Sequence, residues 1–429
     1  MASCRLEKSE DFAVKLDSED PLKDYRNRFY VQPNTIYLDG NSLGLLSRDS
    51  EASVLRVLDE WKRLAIGGWL DAKQPWFYFA ETLGAMCAKL VGAEPEEVVA
   101  TGATTVNIHS LVNTFYQPGQ KKKILADELT FPTDIYALRS LVRLRGFDPS
   151  RDLILAPSEN HRFLSEDNII EMMDEDVALV FLPSVLYRSG QLLDMKRLTE
   201  AAHDKGIPIG FDCSHSVGVL PHYLDKWKVD FAVWCSYKHL NGGPGGTAFL
   251  YVNKKHFCQE PSLAGWFGYV KEKQFDLSIN FEHSKSAGGW QISSPPILSA
   301  AAVEGSLKII LDAGIEAIRE KSLKLTSYLI YLVDENLSKP PYNFSIGTPR
   351  EAERRGGHVA VEHAEAMRIS QALRARHVIS DFRPPNVVRV APTPLYNTYR
   401  EVWKIVQHLK TIVEKKEYER FSKERKDIS

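Results

Sequence analysis

Cysteine is sparse in this chain: five residues in 429 (Cys4, Cys87, Cys213, Cys235 and Cys258), none in a C-x-x-C pair and none at metal-ligand spacing. The odd count and the scatter exclude a disulfide framework and imply reduced thiols, so a cytoplasmic protein without a metal site is expected. Missing too is any apolar run near the roughly 18 residues that a membrane span needs. The first residues are charged from Arg5 onward and lack a signal-like apolar core, so no membrane contact is expected. Nor is one sign of charge in excess. The 54 Lys and Arg against 56 Asp and Glu leave a formal −2, and the short basic run Lys121 to Lys123 reads as a solvated turn. Neither invites nucleic acid.

What is present is a globular composition, 44% hydrophobic and 26% charged, in a chain long enough for two or three units. Strand and helix patterns alternate. Val98 to Ala100, Lys122 to Ala126, Val177 to Leu182, Ile207 to Phe211 and Phe231 to Cys235 read as strands. Between them, helices follow from Ile108, Leu111, Val112 and Phe115, from Asp167 to Met173, and from Met195, Leu198, Ala201 and Ala202 with Asp194 as cap and Gly206 as stop. This order implies an α/β fold with a mostly parallel sheet and right-handed crossovers. Glu51 to Ala65 has helical spacing, and its face of Val54, Leu55, Leu58, Trp61 and Leu64 is expected in the core. Pro296 to Leu337 contains long helical pattern, opened by Leu298, Ala301, Ala302 and Gly305, and is expected to link a large domain to a small one. Beyond it short strands and helices alternate (His358 to Glu362, Ala364 to Arg376), and a charged tail from Val413 is expected to end as a solvated helix.

The chemistry-bearing residues fall at strand ends. Asp212 closes one apolar run and Lys238 follows the next. If these are neighbouring parallel strands, both face one sheet edge, where open α/β folds bind ligands, and Ser184 joins them there. A carboxylate beside a lysine suits pyridoxal phosphate, whose aldehyde needs an amine and whose pyridine nitrogen needs an acid. On spacing alone the pair is equally a salt bridge. Thr104 and Thr105 open a helix, as an anion site or as an ordinary cap. Phe131, Thr133 and Asp134 in F-P-T-D read as a plain turn, or as a ring that stacks on a flat cofactor with two groups for its polar edge. His215 is a hydrogen-bond partner for the cofactor or Asp212. Tyr237 has a phenol within reach of a phosphate or a moving proton. Asn241 to Gly246 lacks the G-K-[ST] ending and is a turn. Arg389, between apolar neighbours in V-V-R-V, has the planar fork that clamps a carboxylate.

Longer motifs sharpen this: F-D-x-x-H-x-x-G from Phe211, W-C-S-Y-K-H-L-N-G-G-P-G-G from Trp234, Y-L-D-G-N-S-L-G from Tyr37, T-V-N-I-H from Thr105, G-W-F-G from Gly265 and V-R-V-A-P-T-P-L-Y-N from Val388. Spread over about nine tenths of the chain, they resemble the kynureninases, class V pyridoxal-phosphate enzymes of the aspartate aminotransferase fold (fold type I). The resemblance implies an arm (1–50) that joins the small domain, a large cofactor-binding domain (51–310) and a smaller C-terminal α+β domain (311–429). It implies hydrolysis of L-kynurenine to anthranilate and L-alanine, a step of tryptophan degradation and NAD biosynthesis. Lys238 would hold the cofactor and move the α-proton, Tyr237 is the candidate to activate water, and Arg389 would orient the substrate carboxylate. The cofactor would lie among Thr104, Thr105, Phe131, Thr133, Asp134, Ser184, Asp212 and His215. Trp266 and Ser294 match positions that reach the phosphate from the neighbouring subunit, implying a homodimer with shared active sites. Part of the family has Asn in place of Ser294. Trp69 matches a position against the substrate's aryl ring where members favouring 3-hydroxykynurenine carry histidine, so plain kynurenine is expected to be preferred. A cysteine desulfurase or aminotransferase is the rival within the fold, but no cysteine follows Cys258 to serve as a desulfurase nucleophile. A non-catalytic scaffold is the other rival, and an intact Lys238, Asp212 and Arg389 argue against it.

Overall fold

Seven short runs of β-branched and aromatic residues pair edge to edge in the computed structural model, which describes residues 6–424; Cys4 and both extreme ends lie outside the described residues. The strands are β1 Val98–Ala100, β2 Lys123–Asp127, β3 Leu153–Ala156, β4 Val177–Pro183, β5 Ile209–Asp212, β6 Phe231–Trp234 and β7 Phe249–Val252. Their order is β1-β7-β6-β5-β4-β2-β3. Every pair is parallel except the two made by β7, which runs antiparallel to β1 and β6. All seven residues of β4 are buried, the mark of a sheet covered on both faces. Register sets Pro183 beside Asp212 and Asp212 beside Val233, so the carboxyl ends of β4, β5 and β6 share one edge, as the strand-end argument requires.

A second core lies around a four-stranded antiparallel sheet of β8 Ser345–Ile346, β9 Val359–Glu362, β10 Asp381–Arg383 and β11 Val387–Val390, ordered β8-β9-β11-β10. Helices Ile315–Leu337, Ala366–Ala375 and Tyr399–Glu414 contribute to it. So does the amino-terminal segment: Phe12 and Ala13 of helix Glu10–Ser18 and Leu38 are buried there, and Ile36–Tyr37 pairs in parallel with Val378–Ile379. Leu22 and Phe29 belong to the first core instead.

Three expectations meet the structure only in part. The pattern from Pro296 to Leu337 is two helices, Ile297–Ala313 and Ile315–Leu337, because the chain turns at Gly314 with φ +79°. Among the described residues the tail is not one continuous helix: helix Tyr399–Glu414 ends, and a short 3-10 helix with no buried residue, Glu417–Arg420, follows, where Arg376 pairs with Glu417 at 2.7 Å. Helix Arg48–Leu64 buries Ser50, Ser53, Val57 and Glu60, and leaves Leu55, Leu58 and Trp61 at 58%, 41% and 58% exposure. The cause is how closely helix Ile297–Ala313 approaches it: a Cβ on Gly305 would lie 2.3 Å from the Asp49 carbonyl oxygen, so only small residues fit between the two. Buried Glu60 and Glu304 are both paired by Arg56. Val54 and Leu64 of the expected face still pack against the core, whereas Leu55, Leu58 and Trp61 are left on the surface, continued by Ile66 and Leu70. No helix among the described residues is long and apolar enough to cross a membrane.

Asp230, buried just before β6, ties the amino-terminal side of the sheet. It accepts from His203 Nε2 at 2.9 Å, His256 Nε2 at 2.8 Å and the Ile209 amide at 2.8 Å, and pairs with Lys255 at 2.7 Å. Burial alone would raise its pKa, but the bonds from His203, His256 and Lys255 together hold it below the usual carboxylate range. A depressed carboxylate stabilises the fold above its unfolded-state pKa, and that contribution is lost as pH falls through the native value. We expect Asp230→Asn to cost about 3 kcal/mol in urea unfolding at pH 7. The gap to wild type should stay constant down to the carboxylate range and close only below it.

Candidate active site

Beyond β6 the chain leaves the sheet in a tight turn. Gly242 N–H donates to the Ser236 carbonyl at 2.8 Å, Asn241 N–H donates to the Lys238 carbonyl at 2.9 Å, and Gly44 N–H donates to the Tyr237 carbonyl at 2.7 Å. Loop Tyr37 to Gly44 is thereby laid against the lysine. Lys238 Nζ lies 3.0 Å from His215 Nε2, 5.9 Å from the Phe131 ring centroid and 6.0 Å from that of Tyr237. An ammonium can only donate, so His215 Nε2 is the acceptor. Burial, then the charges of Lys238 and Arg389, push the His215 pKa well down, and the ring stays neutral.

Asp212 Oδ1 accepts from the Ser214 amide at 2.8 Å. Ser184 braces the same residue from β4: its amide and hydroxyl reach the Asp212 carbonyl at 2.9 and 3.2 Å, and its hydroxyl meets Ser216 Oγ at 2.7 Å. Ser216 in turn meets His222 Nε2 at 2.8 Å. Ser184 thus stands at the expected edge, with its hydroxyl engaged by Asp212 backbone and Ser216.

F-P-T-D starts helix Pro132–Leu144. Thr133 Oγ1 lies 2.9 Å from Thr105 Oγ1, joining this helix start to that of Thr104–Phe115. The latter has Ala103 at its N-cap and no side-chain cap, so Thr104 and Thr105 are its first two residues and not an ordinary Thr cap. Their amides remain available to an anion. Asp134 is buried, accepts from Thr130 Oγ1 at 2.8 Å and leaves Oδ1 without a partner among the described residues. Burial first and the Asp212 charge second raise its pKa well above the ordinary range. Phe131 is 42% exposed and meets Tyr187 edge-on at 5.3 Å. Tyr237 is pushed up by burial and by Cys235, so its phenol keeps its proton and suits donation rather than base work.

Arg389, on β11, is fully buried. Its Nε and Nη2 reach Asp381 Oδ1 and Oδ2 at 2.9 and 2.5 Å, Nη2 also reaches Ser42 Oγ at 2.6 Å, and Nη1 reaches the Tyr187 carbonyl at 2.8 Å. Four of the five guanidinium N–H groups are thereby engaged. Asp39, with Oδ1 4.0 Å from Nη2, is raised to about 6 by burial and by Asp381. Asp381 and Ser42 escape a reading of the sequence. The signal for Asp381 was its place directly across the β10–β11 pair from Arg389, which needs the hairpin register to be known.

Trp69, Trp266 and Ser294 gather elsewhere. They line an apolar cavity of about 520 Å³ with Leu70, Phe267 and Phe275, to which neither Lys238 nor Asp212 contributes. Trp69 packs on Trp76 and Phe267 at 6.0 and 5.9 Å, and Trp266 is 49% exposed.

A family model described as Kynureninase C-terminal domain matches residues 318–409. Along its whole length the chain is 55% identical over 430 residues to the kynureninase of Geobacillus thermodenitrificans (strain NG80-2), with 100% of each chain covered. It is 54% identical over 418 residues to that of Shouchella clausii (strain KSM-K16), covering 97% of each. Among solved structures it is similar to an apo cysteine desulfurase from Thermococcus onnurineus NA1, with a TM-score of 0.79, 19% identity and 97% and 100% of the two chains covered. It is also similar to a C-DES mutant with glycine covalently linked to its PLP cofactor, with a TM-score of 0.77, 15% identity and 90% and 98% covered. At those identities the structural likeness shows the fold alone, which is the fold expected.

Removing the carboxylate from the Arg389 fork leaves a buried guanidinium without its counter-charge. Asp381→Asn should cost about 3 kcal/mol of stability, read as a lowered urea midpoint at pH 7.

Proposed function

The chain belongs to the kynureninase family, pyridoxal-phosphate-dependent hydrolases of tryptophan catabolism, and from that premise we propose how its residues divide the work. Its reaction is the hydrolysis of L-kynurenine to anthranilate and L-alanine. The observation that carries this reading is full-length identity to kynureninases in a chain that sets Lys238 and Asp212 at adjoining strand ends.

The residues at that edge fit the cofactor. Asp134 Oδ1 is buried without a partner among the described residues, the Thr104 helix start is uncapped, and the Phe131 ring stands open beside Lys238. Bound there, pyridoxal phosphate supplies a sink for the electrons of the bonds to be broken. Thr104 and Thr105 hold its phosphate with free amides and hydroxyls. Phe131 covers one ring face. Asp212, fixed by the Ser214 amide and braced by Ser184, keeps a proton on the ring nitrogen. Thr133 and the neutral Asp134 hydrogen-bond the polar edge. Lys238 would be the amine that holds the cofactor and, once released by the substrate amine, the base placed to take the α-proton. His215 steadies Nζ between those acts. Tyr237, protonated by its surroundings, donates to the oxygen at which water adds.

Arg389 receives the substrate carboxylate. With Asp381 and Tyr187 already on the guanidinium, the carboxylate takes the remaining N–H and displaces a present partner for the second. Trp69 offers an apolar face to a plain aniline ring, which favours kynurenine over its 3-hydroxy form. Trp266 and Ser294 serve the phosphate of a second copy, making a homodimer with shared active sites. The exposed Ile66, Leu70, Trp61 and Phe275 around their cavity support this, since a free apolar surface of that kind marks an interface. The arm (1–50), large domain (51–310) and small domain (311–429) are the units of this reading, and its compartment is the cytoplasm.

Release of fluorescent anthranilate is the direct assay. Wild type should turn over kynurenine with a higher kcat/KM than 3-hydroxykynurenine. Lys238→Ala should lose both turnover and the visible absorbance of lysine-bound cofactor, and normal absorbance in this variant would refute the assignment. Mixing Lys238→Ala with Trp266→Ala subunits tests the shared site: each alone should be nearly inactive, the mixture should regain up to about a quarter of wild-type activity, and no recovery on exchange would overturn the dimer reading.

A further inference from the structure

Three imidazoles, those of His215, His239 and His358, meet beside Lys238, all fully buried. Five of their six ring nitrogens have no partner among the described residues: Nδ1 of His215 and both nitrogens of His239 and His358. Only His215 Nε2 is engaged, by Nζ of Lys238 at 3.0 Å. Buried polar nitrogens are ordinarily paired, so a cluster of this kind beside a reactive amine calls for a role. The rings come from different cores. His215 and His239 flank Cys213 and Leu240 of the first, whereas His358 immediately precedes β9 of the second. His358 is held at the seam by its own segment: Gly356 N–H donates to the Gly190 carbonyl at 2.8 Å. A Cβ on Gly190, whose φ is +75°, would come 2.8 Å from the His358 carbonyl and 3.2 Å from its Nε2, so glycine leaves the ring its place.

We propose that His358 is a positioning residue for Lys238: as the partner of His215 Nδ1 across the seam between the two cores, it sets which nitrogen of His215 faces Nζ. The chemistry requires a division of labour within one ring. Because Nζ donates to Nε2, a neutral His215 carries its hydrogen on Nδ1, and that N–H needs an acceptor. The ring facing His215 is His358, with centroids 5.9 Å apart and planes at 62°. Two imidazoles joined by an N–H···N bond have centroids roughly 5 Å apart, so closing the link takes an approach of the two side chains by under about 1 Å as well as a turn of the rings. The hydrogen that His358 carries on its other nitrogen points away from His215. His239, whose Cε1 lies 3.4 Å from the Cβ position of Gly357, occupies the same corner.

The charged and titratable groups that bear on the trio are Lys238 and Arg389 for all three rings, with Arg383 added at His358. Burial and these cations keep the rings neutral, His239 with a pKa of about 3. A neutral imidazole is what an N–H···N link demands, because an imidazolium has no acceptor nitrogen. The trio is therefore a means of steadying the proton on Nζ without adding charge beside it.

The inference rests on Lys238 being the cofactor lysine, which the anthranilate assay tests separately. Two measurements decide it. In the full chain without cofactor, nitrogen-15 NMR of labelled histidine should show His215 as the Nδ1–H tautomer, unchanged from pH 6 to 9; an Nε2–H tautomer overturns the proposal. In the holoenzyme, His358→Leu should lower kcat about tenfold with KM little changed. It should also move the pH midpoint of the lysine-bound cofactor absorbance down by about one unit, because Nζ loses the acceptor that steadies its proton. His358→Asn, which keeps a donor and an acceptor, should hold both values near wild type. Equal behaviour of the Leu and Asn variants, or an unmoved midpoint in His358→Leu, overturns the assignment. The tautomer measurement needs no variant and stands if His358→Leu does not fold.

Discussion

Parallel register across β4, β5 and β6 is the constraint on which everything else depends. Because Pro183, Asp212 and Val233 sit side by side, the chain has no choice about where its next residues emerge. Ser184 stands behind the Asp212 peptide, Asp212 ends β5 at that edge, and the turn after Trp234 brings Lys238 Nζ to 3.0 Å from His215, three residues past Asp212. A slip of one residue would turn Asp212 to the opposite face of the sheet. The backbone ladder, which carries no chemistry, thus fixes the placing of the chemical groups.

The site is also notable for how little net charge it holds for the number of ionisable groups present. Asp127, at the end of β2, is raised to about 7 by burial, and burial also raises Asp134 well above the ordinary range. The histidines are depressed and Tyr237 is raised. Desolvation is the leading cause in each case, and it leaves groups that donate and accept hydrogen bonds without long-range fields. The few real charges can then act on the reacting atoms without competition from neighbours.

The sheet and the edge that carries Asp212 and Lys238 were legible in the sequence because period, strand-end placement and motif context agree there. Apolar runs of four to seven residues ending in Asp212 or followed by Lys238 leave few arrangements once parallel crossovers are assumed. Helix Arg48–Leu64 was misread for the opposite reason. Its spacing points Leu55, Leu58 and Trp61 at a core, but the close contact at Gly305 admits only serine, valine and paired glutamate, and no pattern within one helix reveals how near the next will come. Asp381 and Ser42 around Arg389 were out of reach likewise, since one needs hairpin register and the other a loop more than 340 positions away. Trp69, Trp266 and Ser294 were readable only through resemblance, because within one chain they do not meet Lys238.

Arg389 enters binding already holding an anion. An empty guanidinium in a buried pocket would take up chloride, acetate or any small acid that diffused in. Here such an ion gains nothing by exchanging with Asp381, which is covalently tethered and correctly shaped. If Arg389 receives the substrate carboxylate as proposed, only a ligand that brings further attachments, an amine at the lysine and an aromatic body, can make the exchange worthwhile, and selection among solutes begins before any bond is made, through competition with a resident carboxylate.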